Sequence, residues 1–281
     1  KEHFDKAYIL KPSDKIVRIF HRELCEDYHK KTPLLIYQMG KVGSSSVTNS
    51  LSASSCSWKV YQNHLYTEKG IINAYARRCN NGTAIPEHII TSMFLHKELQ
   101  AMLAGRETQF RNDIPWKIIT LVRDPVVRNI SAYFENIYSR FPDFHQQWCN
   151  GEVDVEMLTA NFMNEYPQHI PLTWFDREMK QSTGFDIYEH PFDKERGYTI
   201  YHTGKLDILV FTLERLNDTA AEAIEKFLGI GNFTLRSENV GGKKDYKSAY
   251  DLFRKHISFP ADFLDTIYSH TLLHHFYTDK A

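Results

Sequence analysis

A lysine, two glycines and three serines lie close together near the start of the chain, in the segment Gly40-Lys41-Val42-Gly43-Ser44-Ser45-Ser46. Glycines let the backbone turn so that several N–H groups point at one spot, and Lys41 adds a full positive charge. The serines are typical of a helix start, where the helix dipole also attracts anions. The segment therefore predicts a cradle for a phosphate-like group, although glycine and serine also form ordinary turns and helix caps.

This cradle differs from the standard nucleotide triphosphate loop, which requires a glycine, four residues and then Gly-Lys-Ser/Thr. Here Lys41 precedes the second glycine, Gly43, and no lysine follows that glycine to reach a β- or γ-phosphate. A P-loop kinase or NTPase stays open as an alternative, and such an enzyme would depend on Mg²⁺.

A second cluster, from Arg123 to Ser131, could also hold a phosphate. Arg128 and Ser131 share a helix face at a spacing of three residues, and Arg123 directly precedes the predicted helix. Two guanidinium groups and a hydroxyl suit a phosphate monoester, because arginine can bind two phosphate oxygens at once. Asp124 is expected to cap the helix. The alternative is an exposed Arg–Asp pair beside a helix start.

The elements that position both clusters are predicted to be buried parallel strands. The apolar run Leu34–Met39 precedes the first cluster, and Trp116–Val122, which is rich in β-branched residues, precedes the second. Each run is followed by a turn and by a segment with apolar residues at helical spacing. Ligands of open α/β sheets bind at the carboxyl ends of such strands, so one ligand with two anionic groups would explain both clusters.

The rest of the chain predicts further elements around this sheet. A short strand is predicted at Trp58–Gln62 and two paired strands at Gly197–His202 and Asp207–Thr212. Helices are predicted around residues 16–24, 70–79, 86–104, 218–228, 246–256 and 260–275, with short helices within 142–195. Because the sequence contains no repeats or linkers, we predict one domain over residues 1–281. Its fold is predicted to be α/β, with a P-loop-type central parallel sheet flanked by helices and additional C-terminal helices.

The two clusters together resemble the nucleotide-binding motifs of the sulfotransferase superfamily, whose donor is 3′-phosphoadenosine 5′-phosphosulfate (PAPS). The resemblance is strongest over Val122–Phe134 and anchors residues 34–134. It implies that the first loop holds the 5′-phosphosulfate and the second cluster the 3′-phosphate. It also implies 3′-phosphoadenosine 5′-phosphate (PAP) as the product and no metal requirement. The residues expected to bind the donor are Lys41, Val42, Gly43, Ser44, Ser45, Ser46, Arg123, Arg128 and Ser131.

Sulfuryl transfer requires a base for the acceptor hydroxyl and a cation for the charge that develops on the leaving phosphate. Lys41 fits the second role by its position. Gln62–Leu65 resembles the family segment that carries the catalytic histidine, which implies His64 as the base, although a strand-end histidine can also cap a backbone group. His96 is the alternative base, but its apolar helix favours a core role. The late loop Gly241–Lys244 is expected to cover the 3′-phosphate, or else to be a solvated turn.

Two shorter segments concern the acceptor. Trp174-Phe175-Asp176 and Gly184–Tyr188 resemble a branch of proteins linked to capsular polysaccharide synthesis. This resemblance implies a carbohydrate hydroxyl as the acceptor, so we predict a PAPS-dependent sulfotransferase. The third interpretation, beside the kinase, is a non-catalytic nucleotide-binding scaffold that would not need His64.

Composition and charge exclude some partners and set the expected compartment. The 281 residues are 42% hydrophobic and carry a net charge of −1, which gives no general attraction to nucleic acid or to anionic membranes. No apolar run approaches the roughly 20 residues of a membrane span. The four cysteines lack metal-ligand spacing, and a glycosylation sequon at Asn129 lies inside the second cluster, a poor place for a glycan. We expect a cytoplasmic protein, or one in the secretory lumen if an N-terminal anchor was removed.

Overall fold

The computed structural model of the protein describes residues 32–54, 58–80, 87–111, 113–236 and 244–278. The helix predicted around residues 16–24 lies outside the described residues. The late loop predicted at Gly241–Lys244 also lies outside them, apart from Lys244 itself.

Five strands form the central sheet: β1 (Pro33–Tyr37), β2 (Lys59–Asn63), β3 (Trp116–Val122), β4 (Tyr198–His202) and β5 (Leu206–Thr212). Their order across the sheet is β2-β1-β3-β5-β4. The first four strands in this order run parallel, and β4 pairs antiparallel with β5 at the edge. The inner strands β1, β3 and β5 are almost entirely buried, which agrees with their nearly continuous apolar sequences.

Helices lie on both sides of this sheet. In chain order they are Ser44–Ser52, Glu68–Asn80, Glu87–Leu103, Pro125–Glu135, Phe144–Cys149, Val155–Glu165, Ile170–Trp174, Gln181–Thr183, Leu216–Leu228, Lys247–His256, Ala261–Tyr268 and Thr271–Phe276. A π-helix, Phe175–Lys180, joins Ile170–Trp174 to Gln181–Thr183, and short 3₁₀ turns occur at Ile137–Ser139, Ile187–Glu189 and Leu213–Arg215. None of the helices in the described ranges is long and apolar enough to cross a membrane.

The apolar core extends from Leu34 in β1 to Phe276 in the last helix. Aromatic rings attach the C-terminal helices to the helix after β3: the centroids of Phe134 and Phe253 are 5.2 Å apart. The C-terminal part of the chain therefore packs on the same core as the sheet, where burial of large aromatic side chains stabilises the fold.

The carboxyl ends of β1, β2 and β3 meet at one edge of the sheet, because these strands are parallel neighbours. Helix Ser44–Ser52 follows β1 and helix Pro125–Glu135 follows β3. The prediction of two strand–loop–helix units that bring both clusters to one sheet edge is confirmed.

The start of the second helix also agrees with its predicted signals. Asp124 is the N-cap residue, and its Oδ1 accepts the backbone N–H of Val127 at 2.8 Å. Pro125 occupies the first turn, where its missing N–H costs no hydrogen bond. The cap therefore fixes where Arg123 leaves β3 and where Arg128 faces.

The prediction of one closing helix over residues 260–275 is wrong. Helix Ala261–Tyr268 ends there, and a separate helix, Thr271–Phe276, begins after two residues. The break occurs at His270, whose imidazole Nδ1 accepts the backbone N–H of Leu272 at 3.1 Å. A histidine side chain thus provides the N-cap, a role more often played by serine, threonine, asparagine or aspartate.

Candidate functional site

The loop between β1 and helix Ser44–Ser52 turns sharply at two residues. Lys41 and Gly43 both have left-handed backbone conformations, with φ angles of 72° and 82°. Glycine adopts this conformation readily, whereas lysine does so only at a cost. A Cβ atom on Gly43 would lie 2.5 Å from Cδ1 of Leu213. Position 43 therefore requires glycine both for its backbone conformation and for its close approach to the segment after β5.

The N-terminus of helix Ser44–Ser52 has no side-chain cap. Gly43 occupies the N-cap position, and the first turn contains no acidic residue. The positive end of the helix dipole is therefore not neutralised by the helix's own side chains. Together with backbone N–H groups it forms the kind of site that binds phosphate and sulfate.

The three serines of the loop take different positions. Ser44 is buried, and its Oγ accepts hydrogen bonds from Nε2 of Gln38 at 2.9 Å and from Nε2 of Gln62 at 2.7 Å. Ser45 is exposed and Ser46 is half-buried. Ser44 therefore joins the loop to β1 and β2, and Ser45 is the serine most open to a ligand.

His64 directly follows β2 and lies beside this loop. Its Nδ1 is 2.9 Å from the backbone oxygen of Gln38, and the amide Nε2 of Gln38 is farther away, at 3.1 Å. The carbonyl oxygen can only accept and the amide N–H can only donate, so these two neighbours favour opposite tautomers of His64. We assign the hydrogen to Nδ1 because its contact with the carbonyl is the shorter one, which leaves the lone pair on Nε2. A Cβ atom on Gly40 would lie 4.0 Å from Nε2 of His64 and 4.0 Å from Nη2 of Arg128. The predicted base, the first loop and the second cluster therefore meet at Gly40.

The surroundings of His64 favour its neutral form. Loss of solvation lowers the pKa of the imidazole, and the nearby charges of His88 and Arg128 lower it further, while the hydrogen bond to the Gln38 carbonyl acts in the opposite direction. Many protein atoms lie close to the ring, but His64 is exposed to solvent. A neutral and accessible imidazole with a lone pair on Nε2 is what a general base requires.

Arg128, in helix Pro125–Glu135, joins the second cluster to the first. It is only 7% exposed, and its Nε donates to the backbone oxygen of Gly40 at 2.9 Å. Its Nη1 donates to Oδ1 of Asn129 at 3.0 Å and, at 3.5 Å, to the hydroxyl of Tyr166. Burial lowers the pKa of the guanidinium. Among the described residues no carboxylate pairs with it, and a buried cation bound only by neutral oxygens attracts an anionic ligand.

The other members of the second cluster lie close to Arg128 in the chain. Arg123 is half-buried, and its Nη1 donates to the backbone oxygen of Lys41 at 3.1 Å. Ser131 is half-buried one turn farther along the helix. We expected both guanidinium groups to grip one phosphate together with Ser131. In the structure each of them also binds a carbonyl of the first loop, which joins the two clusters into one site.

Glu135, at the end of the same helix, was not expected at the site. Its Oε2 accepts from Nζ of Lys41 at 3.2 Å, from Nζ of Lys244 and from the hydroxyl of Tyr246 at 2.8 Å. Burial raises the pKa of this carboxyl, but these donors outweigh it and bring the pKa to about 2. Glu135 and Lys41 are 94 positions apart, so no local pattern could indicate the pair. Lys41, predicted to stabilise a leaving phosphate, is thus bound to a carboxylate here.

Two more carboxylates lie beside Arg123 and are bound by C-terminal tyrosines. Tyr268 donates to Oδ2 of Asp124 at 2.9 Å, and Tyr277 donates to Oε2 of Glu214 at 3.1 Å. The backbone N–H of Asp124 donates to Oε1 of Glu214 at 3.0 Å. The last two helices therefore tie down the turn that carries Arg123.

His96, the alternative base, lies at a different place. Its Nδ1 is 2.5 Å from the backbone oxygen of Tyr66. It borders a polar cavity of about 690 Å³ that contains no residue of either cluster. The cavity is lined by Thr67, Glu68, Lys69, Ile72, Asn73, His96, Gln100 and Gln181. The geometry therefore favours His64 as the base beside the loop.

Three further observations concern Asn129, Cys149 and possible metal ligands. Asn129 has 0% exposure and its amide donates to Oε1 of Gln168 at 2.9 Å, in agreement with a poor glycan site. Cys149 is exposed and is not in a disulfide. Within the described ranges, no group of three His, Cys, Asp or Glu side chains could hold a metal ion.

One family model matches the chain, over residues 151–278, and its description is "Putative capsular polysaccharide synthesis protein". The matched part contains Trp174 and Glu214 but neither of the two clusters nor His64. No curated protein and no solved structure matches the chain significantly.

Proposed function

We propose that the protein is a PAPS-dependent sulfotransferase that acts on a carbohydrate hydroxyl. The observation that carries the proposal is the meeting point at Gly40, where Nε2 of His64 and Nη2 of Arg128 lie at equal distances from one loop position. The same loop leads into an uncapped helix N-terminus, so an anionic donor and a base could lie side by side here, as transfer of an anionic group to a hydroxyl requires. The strand–loop–helix arrangement also supports a P-loop-type fold.

The donor's two anionic ends suit the charges of the site. The N-terminus of helix Ser44–Ser52 and Lys41 would hold the 5′-phosphosulfate, and Arg123, Arg128 and Ser131 would hold the 3′-phosphate. The buried, uncompensated charge of Arg128 supports this fit. When bound, PAPS would supply the sulfuryl group.

The proposed roles of His64 and Lys41 follow from their protonation states. His64 would accept the acceptor's proton at Nε2, and the Gln38 carbonyl, already bound to Nδ1–H, would stabilise the resulting imidazolium. Lys41 would stabilise the charge on the leaving phosphate, for which its Nζ must exchange Glu135 for the ligand.

The carbohydrate acceptor is supported by the family match to residues 151–278. Within that range, Trp174 donates from Nε1 to the backbone oxygen of His64 at 3.4 Å, so the matched part contacts the proposed base. Enzymes of polysaccharide synthesis act on sugar hydroxyls, which are the acceptors that a base such as His64 would activate.

The proposal is tested by transfer of ³⁵S from labelled PAPS to a panel of capsular-type oligosaccharides. We expect labelled product with the unaltered protein and a loss of about 100-fold or more in His64→Gln, which is typical for removal of a general base. His256→Gln, at an exposed histidine far along the chain, is the matched control. Equal turnover by His64→Gln, or phosphate transfer from Mg-ATP instead, would refute this assignment.

A further inference from the structure

Glu178 is a buried carboxylate that the proposed reaction does not use. It lies in the π-helix Phe175–Lys180 and is only 7% exposed. π-Helical turns are rare and occur often at functional sites, where the extra residue redirects a side chain.

The carboxylate binds the segment that follows the proposed base. Its Oε2 accepts the backbone N–H groups of Tyr66 and Thr67, each at 3.2 Å, and its Oε1 accepts the hydroxyl of Thr67 at 2.7 Å. Both residues follow His64 closely in the chain. The hydroxyl of Tyr37, at the end of β1, donates to Oε2 at 2.9 Å. Glu178 thus fastens β1 to the segment after β2.

Burying this charge costs free energy that the fold must offset. Burial raises the pKa of Glu178, and its hydrogen bonds with Thr67, Tyr37 and Tyr66 act in the opposite direction. A Cβ atom on Gly70 would lie 2.4 Å from Oε1, so the next helix also approaches the carboxylate closely. A buried carboxylate with four hydrogen-bond donors is stable only while all four stay in place, so it restricts the positions of the residues that donate to it.

The helix that runs directly into this π-helix, Ile170–Trp174, contacts His64 itself. Nε1 of Trp174 donates to the backbone oxygen of His64 at 3.4 Å, and the rings of Trp174 and Tyr37 are 5.0 Å apart. One segment of the family-matched region therefore contacts the base residue itself and the two residues that close its turn.

We propose that Glu178 is a positioning residue for His64. Together with Trp174 it fixes the turn from His64 to Thr67, so that Nδ1 stays against the Gln38 carbonyl and Nε2 faces Gly40. The catalytic part of this inference rests on the proposed function, in which His64 is the base. The geometric part does not depend on the reaction.

The test measures the tautomer of His64 by ¹⁵N NMR of histidine-labelled protein, together with kcat and the Kd for PAP. Glu178→Gln keeps the size of the side chain and one acceptor oxygen but removes the charge. We expect its His64 signals to move toward the form protonated at Nε2 and kcat to fall about 10-fold or more, since small misplacements of reacting groups cost this much. The Kd for PAP should stay unchanged.

Glu98→Gln is the matched control, because Glu98 is also a buried glutamate, with 6% exposure, that accepts a backbone N–H, from Gln109 at 2.6 Å. It should leave the His64 signals as they are. If Glu178→Gln does not fold, Thr67→Val takes its place with the same expected direction; it removes the donor to Oε1 and also the acceptor of the Gly70 N–H. Unchanged His64 signals in the folded variant would overturn the inference. Failure of PAP to bind would instead count against the proposed function and leave the NMR result valid.

Discussion

The candidate site consists of single residues held in particular charge states. His64 is kept neutral by desolvation and by nearby positive charge, Arg128 keeps its charge in a buried position, and Glu135 stays ionised because three donors surround it. These states are set by neighbours that are distant in sequence. They determine whether an anion can bind and whether a hydroxyl can lose its proton.

The first prediction concerns the pH dependence of transfer. Because the pKa of His64 in the folded protein is lowered from 6.5, the imidazole becomes neutral at a lower pH than a free histidine does. The profile of kcat/KM, which reports the free enzyme, should reach its plateau with an acid limb centred below 6.5, and His64→Gln should lack that limb. By the same linkage, His64 costs stability as the pH falls below its unfolded pKa. An acid limb centred above 6.5 would contradict the assigned environment.

The second prediction concerns Glu135, which binds both Lys41 and Lys244. Glu135→Gln removes the competing charge, so the affinity for PAP should rise about 3-fold to 10-fold at low salt, a modest gain because the pair is partly exposed. Calorimetric titration measures it, with Glu165→Gln, an exposed glutamate, as the control. Weaker binding by Glu135→Gln would show that the carboxylate positions the lysines for the ligand instead of competing with it.

At the scale of elements, local signals were sufficient where a segment's own residue pattern specifies its structure. Trp116–Val122 was predicted with its observed bounds, because a buried parallel strand has a continuous apolar sequence. The helix start at Asp124-Pro125 carries its own cap. Residues 142–195 could only be described as short helices, and their π-helix has no pattern of its own: it is stabilised by contacts such as Glu178 with Thr67, 111 positions away.

Contacts between residues that are distant in sequence leave no local pattern, which explains why some site residues were missed. The glycines and serines of the loop, the two arginines and His64 all lie in recognisable local segments. The structure places the arginines and His64 around this loop. Glu135, Glu178 and Tyr268 act through partners far away in sequence, so only the folded chain shows them. Which distant side chains contact a site depends on how the strands and helices are arranged in space. The spacing of apolar residues along the sequence does not show that arrangement.

The third prediction tests the loop as an element. Gly43→Ala should destabilise the protein by about 1–2 kcal/mol for its left-handed backbone and by roughly a further 1–3 kcal/mol for overpacking against Leu213. Gly204→Ala is the matched control, because Gly204 has a φ of 83° and a Cβ atom added there would meet nothing within 4 Å. Gly204→Ala should therefore lose only the about 1–2 kcal/mol that the left-handed backbone costs. Urea denaturation measures both, and equal losses would contradict the close approach at Gly43.

At the scale of the whole molecule, the site is shared between the two halves of the chain. The loop, His64 and the arginines precede the family-matched residues 151–278, yet β5 of the matched part pairs with β3 along its whole length. The C-terminal tyrosines then bind Asp124 and Glu214 at the site. The matched part therefore supports the site without supplying its proposed catalytic groups.

The fourth prediction follows from this shared core. Since apolar packing runs from Leu34 to Phe276, near-UV and far-UV circular dichroism should report one coincident thermal transition. Such a result would support the single domain predicted from the sequence. Two separated transitions, one of them confined to the family-matched part, would show instead that the halves fold independently.

The most direct measurement for the central claim is calorimetric titration of metal-free protein with PAP and, separately, with ADP. We expect PAP to bind about 100-fold tighter than ADP without Mg²⁺, because each charge-assisted hydrogen bond to the 3′-phosphate is worth roughly 1.5–3 kcal/mol. Arg123→Ala should remove this difference, whereas Arg254→Ala, at an exposed arginine, should not. Equal binding of PAP and ADP, or binding that appears only with Mg²⁺, would contradict a PAPS site and favour a kinase or NTPase.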